Sequence, residues 1–552
     1  INMNRETESH FSNLPTLNIK RSRFKRPSTH KTSWNCSDLI PIYVDSDILP
    51  GDSVKMRMAE IVRMQTPIFP VMDNAYMDIY FFFVPHRIVW DHWKEFWGEN
   101  NLTAWEQQVP YEIPQINAPA STGWTQGTIA DYMGIPTGVD DFSVNHLPFR
   151  AYVKCWNDWF RDENLKDPAY MSTDETTLNG ANSGNYVTAA QLGAKPLKVA
   201  KYHDFFTSCL PAPQKGASVT LPLGKTAPII GTDKKATGES NIIQTSLVDK
   251  QLYVTRTQAN LTLFADVTDN TNNLSQSRSI GLAADLSKAI GATINELRQA
   301  FAIQAFYEAQ ARGGSRYVEF IKSIFGVTSP DGRLQRSEYL GGTRVQINMD
   351  QVLQTSSTDA TSPQGNTAAF SCTVNSEEDL FTHSFTEHGT LIGLACIRTD
   401  HTYQQGLNRM WSRKKWTDYY IPQLANLGEM PVLNKELYIQ GNSVVDSDGN
   451  IIDNQVFGYQ EAWADYRYMP SRVSSEMRSQ YAQSLDSWHY ADDYNTLPTL
   501  SSGWIDETET NVDRTISVQH STANQFFGDF YFDPIYVRPM PVYSIPAMLN
   551  HF

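Results

Sequence analysis

Asp78-Ile79-Tyr80-Phe81-Phe82-Phe83-Val84, ended by Pro85, is an almost wholly apolar run of strand length. Its aromatic and branched residues, with a proline as the stop, predict a β-strand. Upstream, Val54-Lys55-Met56-Arg57-Met58 alternates every second residue and predicts another. Thr343 to Asn348, Gly389 to Arg398 and the aromatic-rich Phe526 to Val537 read the same way. Strands this scattered, with long irregular stretches between them, point to one antiparallel β body carrying large insertions, not to repeated βα units. No internal repeat is present.

Two helices are expected among the insertions. Pro148 opens the first, with Phe149, Tyr152, Val153, Trp156 and Phe160 on one face. Thr293 and Glu296 form a capping-box pattern for the second, which Gly313 stops after the stripe Ile294, Leu297 and Phe301. From about Ala217 to Ala289 the texture changes to Thr, Asn, Ser and Gly, with β-like alternation at Ser218 to Leu223 and Gln251 to Phe264. That is an elaborated insertion and a natural outward contact surface. A smaller polar excursion covers Gln354 to Thr367, and Val445 to Ile451 predicts a hairpin about an Asp-Gly turn.

With 552 residues, 41% hydrophobic and only 19% charged, the chain has globular composition and much weakly charged surface. No stretch approaches the roughly 20 apolar residues of a membrane span, and no charged head with an apolar run opens it as a signal peptide would. The expectation is a soluble protein made in a cytosol. Cys36, Cys155, Cys209, Cys372 and Cys396 are far apart and never paired as C-x-x-C, so buried thiols are expected in place of disulfides or zinc.

The net charge is −15, from 45 basic and 60 acidic residues, yet the distribution is uneven. Between Glu8 and Asp38 no acid occurs, while Lys20, Arg21, Arg23, Lys25, Arg26 and Lys31 all do. Residues 1–37 therefore read as a basic N-terminal arm whose cations are candidates for phosphate contacts. A solvated tail, a nuclear-type address or an arm packed on a neighbouring subunit are the competing readings.

Catalytic patterns fail on spacing. Gly224-Lys225-Thr226 lacks the earlier glycine of a phosphate loop, because Val219 stands there. His383, Glu387 and His388 follow H-x-x-x-E-H, which matches neither zinc-protease order. Asp446-Ser447-Asp448-Gly449 brings its glycine too early for a calcium loop. Neither G-x-S-x-G nor G-x-G-x-x-G occurs, and no acid pair can be singled out. No catalytic residue, cofactor or metal is expected. The aromatic wealth suits buried anchors in core and subunit contacts better than a sugar-binding face.

Gly313 to Gly342, GGSRYVEFIKSIFGVTSPDGRLQRSEYLGG, is architectural: a helix runs into it, a Pro330-Asp331-Gly332 turn follows a short apolar stretch, and Arg316, Arg333 and Arg336 stand between two double glycines. Other distinctive stretches are Tyr202 to Leu210 leading to Pro213-Gln214-Lys215-Gly216, Ile294 to Gly314, Thr402 to Arg413, Val456 to Glu461 with Asp465 to Tyr468, and Arg538-Pro539-Met540-Pro541. Together they resemble the major capsid protein of gokushovirus-type microviruses, small tailless bacteriophages with single-stranded DNA genomes. The resemblance runs from the basic arm to the C-terminus, apart from Ala217 to Ala289. It departs locally at Ala212 and at Trp416-Thr417.

That resemblance implies a mainly β fold, a single eight-stranded antiparallel jelly roll of viral capsid type with long insertions. Residues 38–552 would form the body, with 217–289 a variable surface insertion rising at the three-fold axes to contact the bacterial host. It implies a T=1 icosahedral shell of about sixty copies, assembled in the host cytoplasm around circular single-stranded DNA. Partners would be further copies, the packaged DNA, other virion and scaffolding proteins and a host receptor, without membrane insertion. Arg316, Arg333, Arg336, Arg409, Trp411 and Arg413 are then candidates for subunit contacts. The rival readings are a jelly-roll carbohydrate-binding protein or glycoside hydrolase, and a nucleic-acid-binding module.

Overall fold

The computed structural model describes residues 20–99, 111–216, 219, 229–234, 240–242, 252–257, 260–265, 280–284, 294–314, 316–356, 363–370 and 372–543. It divides into two compact units. One comprises the chain up to Pro213 and from Gly314 onward, the other Gln214–Gly313.

The strands of the larger unit that matter here are β1 (Ser22–Lys25), β2 (Ser28–Trp34), β3 (Asp38–Ile48), β4 (Ser53–Met64), β5 (Ala75–Pro85), β6 (Glu338–Gln346), β7 (Thr373–Ser384), β8 (Gly389–Thr399), β9 (Phe526–Phe532) and β10 (Ile535–Arg538). One sheet runs β2-β9-β4-β7, all antiparallel, and β1 pairs with β10 alongside the start of β4. The lines β1–β2 and β9–β10 break at Pro27 and Pro534, which have no N–H to give to a ladder. Arg26 N–H, donating to Pro534 O at 3.2 Å, holds the two lines together across the break. The second sheet runs β6-β5-β8-β3, again antiparallel, with Leu197–Lys198 at its far edge.

Both sheets feed one apolar core. Val54, Met56, Met58, Val62 and Met64 enter from β4, Phe526, Phe530 and Phe532 from β9, Phe81 and Phe83 from β5, and Leu391, Ala395 and Ile397 from β8. The unbroken apolar run of β5 has a physical cause. Its alternate residues Phe82 and Val84 enter a second core with Trp90, Phe149, Tyr152 and Trp156, so both faces of the strand are buried. That second core is built on α1 (Leu147–Cys155), which continues into a π turn over Trp156–Phe160. Tyr152 hydroxyl donates to Leu39 O at 2.7 Å and pins the helix to β3.

The smaller unit has Ile229–Lys234 paired between Ser240–Ile242 and Ile280–Ala284, a hairpin of Leu252–Thr257 with Asn260–Ala265, and α2 (Ile294–Gly313). The hairpin matches the alternation expected over Gln251 to Phe264. Ser218 and Thr220 to Leu223, Gly224-Lys225-Thr226 and Thr293 lie outside the described residues.

Several expectations need correction. Ser22–Lys25 and Ser28–Trp34 of the basic stretch are not tail-like but are paired into the body as β1 and β2, while residues 1–19 lie outside the described residues. The short apolar stretch after Gly314 is a helix, α3 (Tyr317–Phe325), opened by Glu319 accepting the Arg316 N–H at 3.3 Å and closed by Gly326 at φ +67°. Gly341 and Gly342 do not punctuate a turn. They lie within β6, where a Cβ on Gly342 would stand 2.3 Å from Ile79 O. Cys372 is exposed, while the other four cysteines are buried thiols as expected.

Candidate nucleic-acid and subunit interfaces

Strand alternation sends β1 and β2 side chains to opposite faces. Phe24 packs against the core, and His30 points inward, its Nδ1 3.0 Å from Ile42 O. Arg23, Lys25, Thr29 and Lys31 point outward. The same rule brings Lys55, Arg57, Ile61 and Arg63 of β4, and Phe527, Asp529 and Tyr531 of β9, to that outer face. Register fixes their neighbours: Lys31 lies across from Asp529 and then Ile61, and Phe527 lies across from Arg63. Phe527 and Tyr531 are 42% and 45% exposed, so two aromatic faces stand open among cations.

The six predicted cations divide. Arg26 is a clamp: Nη1 is 2.6 Å from Asp45, a carboxylate that also accepts from the Tyr536 hydroxyl at 2.6 Å. Arg21 donates to Gly51 O and to Ser53 Oγ at 2.5 and 2.8 Å. Lys25 and Lys31 make exposed ion pairs with Asp533 and Asp529 at 3.7 and 3.1 Å, which hold them weakly. Lys20 and Arg23 have no partner among the described residues. Lys20 and Arg23 are thus the uncommitted cations of the six, and Lys25 and Lys31 are only weakly held. Sequence reading missed Arg57, Arg63, Phe527 and Tyr531. The signal was present in the strict alternation SVKMRMAEIVRM, whose odd positions share the face of Lys25 and Lys31 only once the register is known.

The arginines proposed for subunit contacts also divide. Arg316 Nη2 donates to Asn157 O and Arg161 O at 3.1 and 2.8 Å. Arg336 Nη2 donates to Asp158 O at 2.6 Å while its guanidinium lies 3.7 Å over the Trp159 ring. Both staple the α3 segment to the π turn within one chain. Arg333 is exposed and its guanidinium has no partner among the described residues. Arg409 pairs with Glu436 at 3.2 Å, and Arg413 pairs with Asp465 beneath Tyr466 and Tyr419. Trp411, by contrast, is 71% exposed, and Met410 and Trp416 of the same segment are also open. The arginines are thus tied within the chain, and the exposed side chains of this segment are apolar and aromatic. On α3 no side chain is buried, and Tyr317, Ile324 and Phe325 stand exposed.

Nothing assembles into a reactive centre among the described residues. His383 lies 3.9 Å from Glu338, Glu387 pairs with Arg87 at 2.6 Å, and His388 stacks on Trp97, so the three do not converge. No group of three or more His, Cys, Asp and Glu could hold a metal among those residues. Asp446 accepts the N–H groups of Asp448 and Asn450 at 2.9 and 2.8 Å, which makes it the anchor of a turn. His401 sits between Asp492 (2.9 Å) and Glu507 (2.8 Å), and their two charges outweigh its burial and push it up to about 10. Cys36 Sγ is near Glu507 at 3.8 Å, but burial raises that thiol well above its ordinary value. Buried, with its thiol kept protonated, this cluster reads as a structural tie. No described helix is long and apolar enough to cross a membrane.

A family model described as "Capsid protein (F protein)" matches residues 12–548, nearly the whole chain. The chain belongs to the phage capsid F protein family. Its relatives include capsid protein VP1 of Spiroplasma virus 4, 44% identical over 98% of this chain and 97% of that one. Capsid protein VP1 of Bdellovibrio phage phiMH2K is 40% identical over 99% of both chains. Capsid protein VP1 of Chlamydia phage 1 is 36% identical over 98% of both. These are gokushovirus capsid proteins, as the resemblance implied, and membership of this family makes the chain a virion component with a structural role.

Proposed function

We propose that this capsid protein is an eight-stranded jelly roll that self-assembles into a T=1 icosahedral shell of about sixty copies around circular single-stranded DNA. The observation that carries the structural role is the end-to-end match to the capsid family. The strand order supports the jelly roll: β2, β9, β4 and β7 in one sheet and β3, β8, β5 and β6 in the other, with successive strands crossing between sheets except at β5 to β6. The long chain between β5 and β6 then carries α1, the smaller unit and α3 as one elaborated loop.

The outer face of the β2-β9-β4-β7 sheet, with Lys20 and Arg23 beside it, supports the DNA contact: cations for phosphates and two open aromatic rings for bases. The open aromatic surface at Trp411 and the uncovered face of α3 support contacts between copies. Residues 217–289 are the surface insertion that meets the bacterial host. The protein has no enzymatic activity, and its other partners are further virion and scaffolding proteins. Analytical ultracentrifugation of the purified chain tests this reading. Megadalton particles are expected, and a monomer at every salt and protein concentration overturns it.

A further inference from the structure

The inward positions of β4 read Val54, Met56, Met58, Glu60, Val62 and Met64. A carboxyl group thus stands in the middle of a methionine and valine core face, and Glu60 is only 1% exposed. Along its row of the sheet it lies between Phe530 of β9 and Asn375 of β7, with His30 of β2 beyond Phe530. Asn375 Nδ2 donates to Glu60 Oε1 at 2.8 Å, and Oε2 is buried without a partner among the described residues.

The groups around it give no counter-charge. From β7 comes Glu377, a second acid, whose Oε1 accepts from Thr343 of β6 at 3.3 Å. From β2 comes His30, whose affinity for a proton burial lowers. Arg57 and Arg63 of its own strand point to the other face. Burial is the main cause that pushes the Glu60 carboxyl up to about 7, with the Glu377 charge adding to it and the Asn375 bond opposing it.

The strand that Asn375 belongs to lies at an edge of its sheet. β7 is bonded to β4 alone, at the edge, and its register shifts between Glu377 and Phe381.

We propose that Glu60 is a proton-operated latch on the β7 edge: neutral, it stays packed against Asn375 and β7 is held; ionised, it must be hydrated, and water enters by parting β7 from β4. The open form carries an ordinary carboxyl, so it gains on the closed form as pH rises from about 4.5 to about 7 and gains nothing further above that. This holds for the single chain and does not depend on the shell reading.

Hydrogen exchange of the full-length chain at pH 5, 6, 7 and 8, corrected for the intrinsic pH dependence of amide chemistry, tests the latch. Opening of 373–384 is expected to rise by up to about tenfold per pH unit between 5 and 7 and then level off. In Glu60→Gln it is expected to stay at the acid level throughout. A rise that persists in Glu60→Gln, or a wild type that is flat with pH, overturns the proposal. Glu377→Gln is the second arm: with the neighbouring charge gone, levelling is expected at lower pH, and an unmoved profile overturns the latch even if Glu60→Gln does not fold.

Discussion

Gly528 shows how little room single residues have in this body. It lies on the inner face of β9, and a Cβ there would come within 2.8 Å of the Trp34 ring, which is itself wholly buried. Gly528→Val is expected to lose about 1–3 kcal/mol by overpacking, read as a lower urea midpoint with an unchanged slope. His401 makes the opposite point, that some core residues are held by charge. Its folded value lies above its ordinary 6.5, so its stabilising effect is complete below pH 6.5 and is lost as pH rises towards 10. His401→Gln leaves Asp492 and Glu507 buried without their cation, an expected cost of about 3–5 kcal/mol near neutral pH. Thermal melts across pH 6 to 10 check the sign: the wild type should lose stability over that window and the variant should lack that loss.

Elements explain what was legible in the chain and what was not. β5 announced itself because both faces are buried, and β4 because one is; local periodicity carries both facts. β1 and β2 were hidden, since their partners β9 and β10 lie some five hundred positions away and nothing local records that pairing. Without the register the cations look like a tail, and the aromatic members of the same face, Phe527 and Tyr531, look like core. α3 was missed because Gly and Pro flank a nine-residue helix that buries none of its side chains. These faces can be tested separately. Phe527→Ala with Tyr531→Ala should weaken single-stranded DNA binding by about 1–3 kcal/mol per lost stack, while Arg63→Gln should flatten the salt dependence by about 0.7 in log-log slope; filter binding at graded salt measures both. Phe325→Glu should leave the melting of the single chain nearly unchanged and block particle formation in sedimentation, because that ring is exposed in the single chain and lies on the face proposed for contacts between copies.

At the scale of the whole molecule, the smaller unit, Gln214–Gly313, is a compact body of its own with its own sheet, hairpin and helix. Removing Thr226 to Asn273 is therefore expected to leave the two-sheet body and particle assembly intact, seen by electron microscopy, and to abolish attachment to host cells. Loss of particles would instead make the insertion part of the assembly contacts. The antiparallel body was readable from strand spacing, whereas the two-sheet strand order was not, because it is fixed by pairings between distant segments.

One of those pairings bears on how the protein is made. β2 closes on β9, so Ser28–Trp34 waits for Phe526–Phe532 before it has a partner in its sheet. At synthesis rates of roughly 5–20 residues per second, that wait is on the order of half a minute to two minutes. A ribosome that stops early releases a polypeptide with β4 unpaired along one side, open to proteases and chaperones. Closure of β2 by β9 thus makes the finished sheet depend on nearly the whole length between them, and a product that stops before Phe526 lacks it.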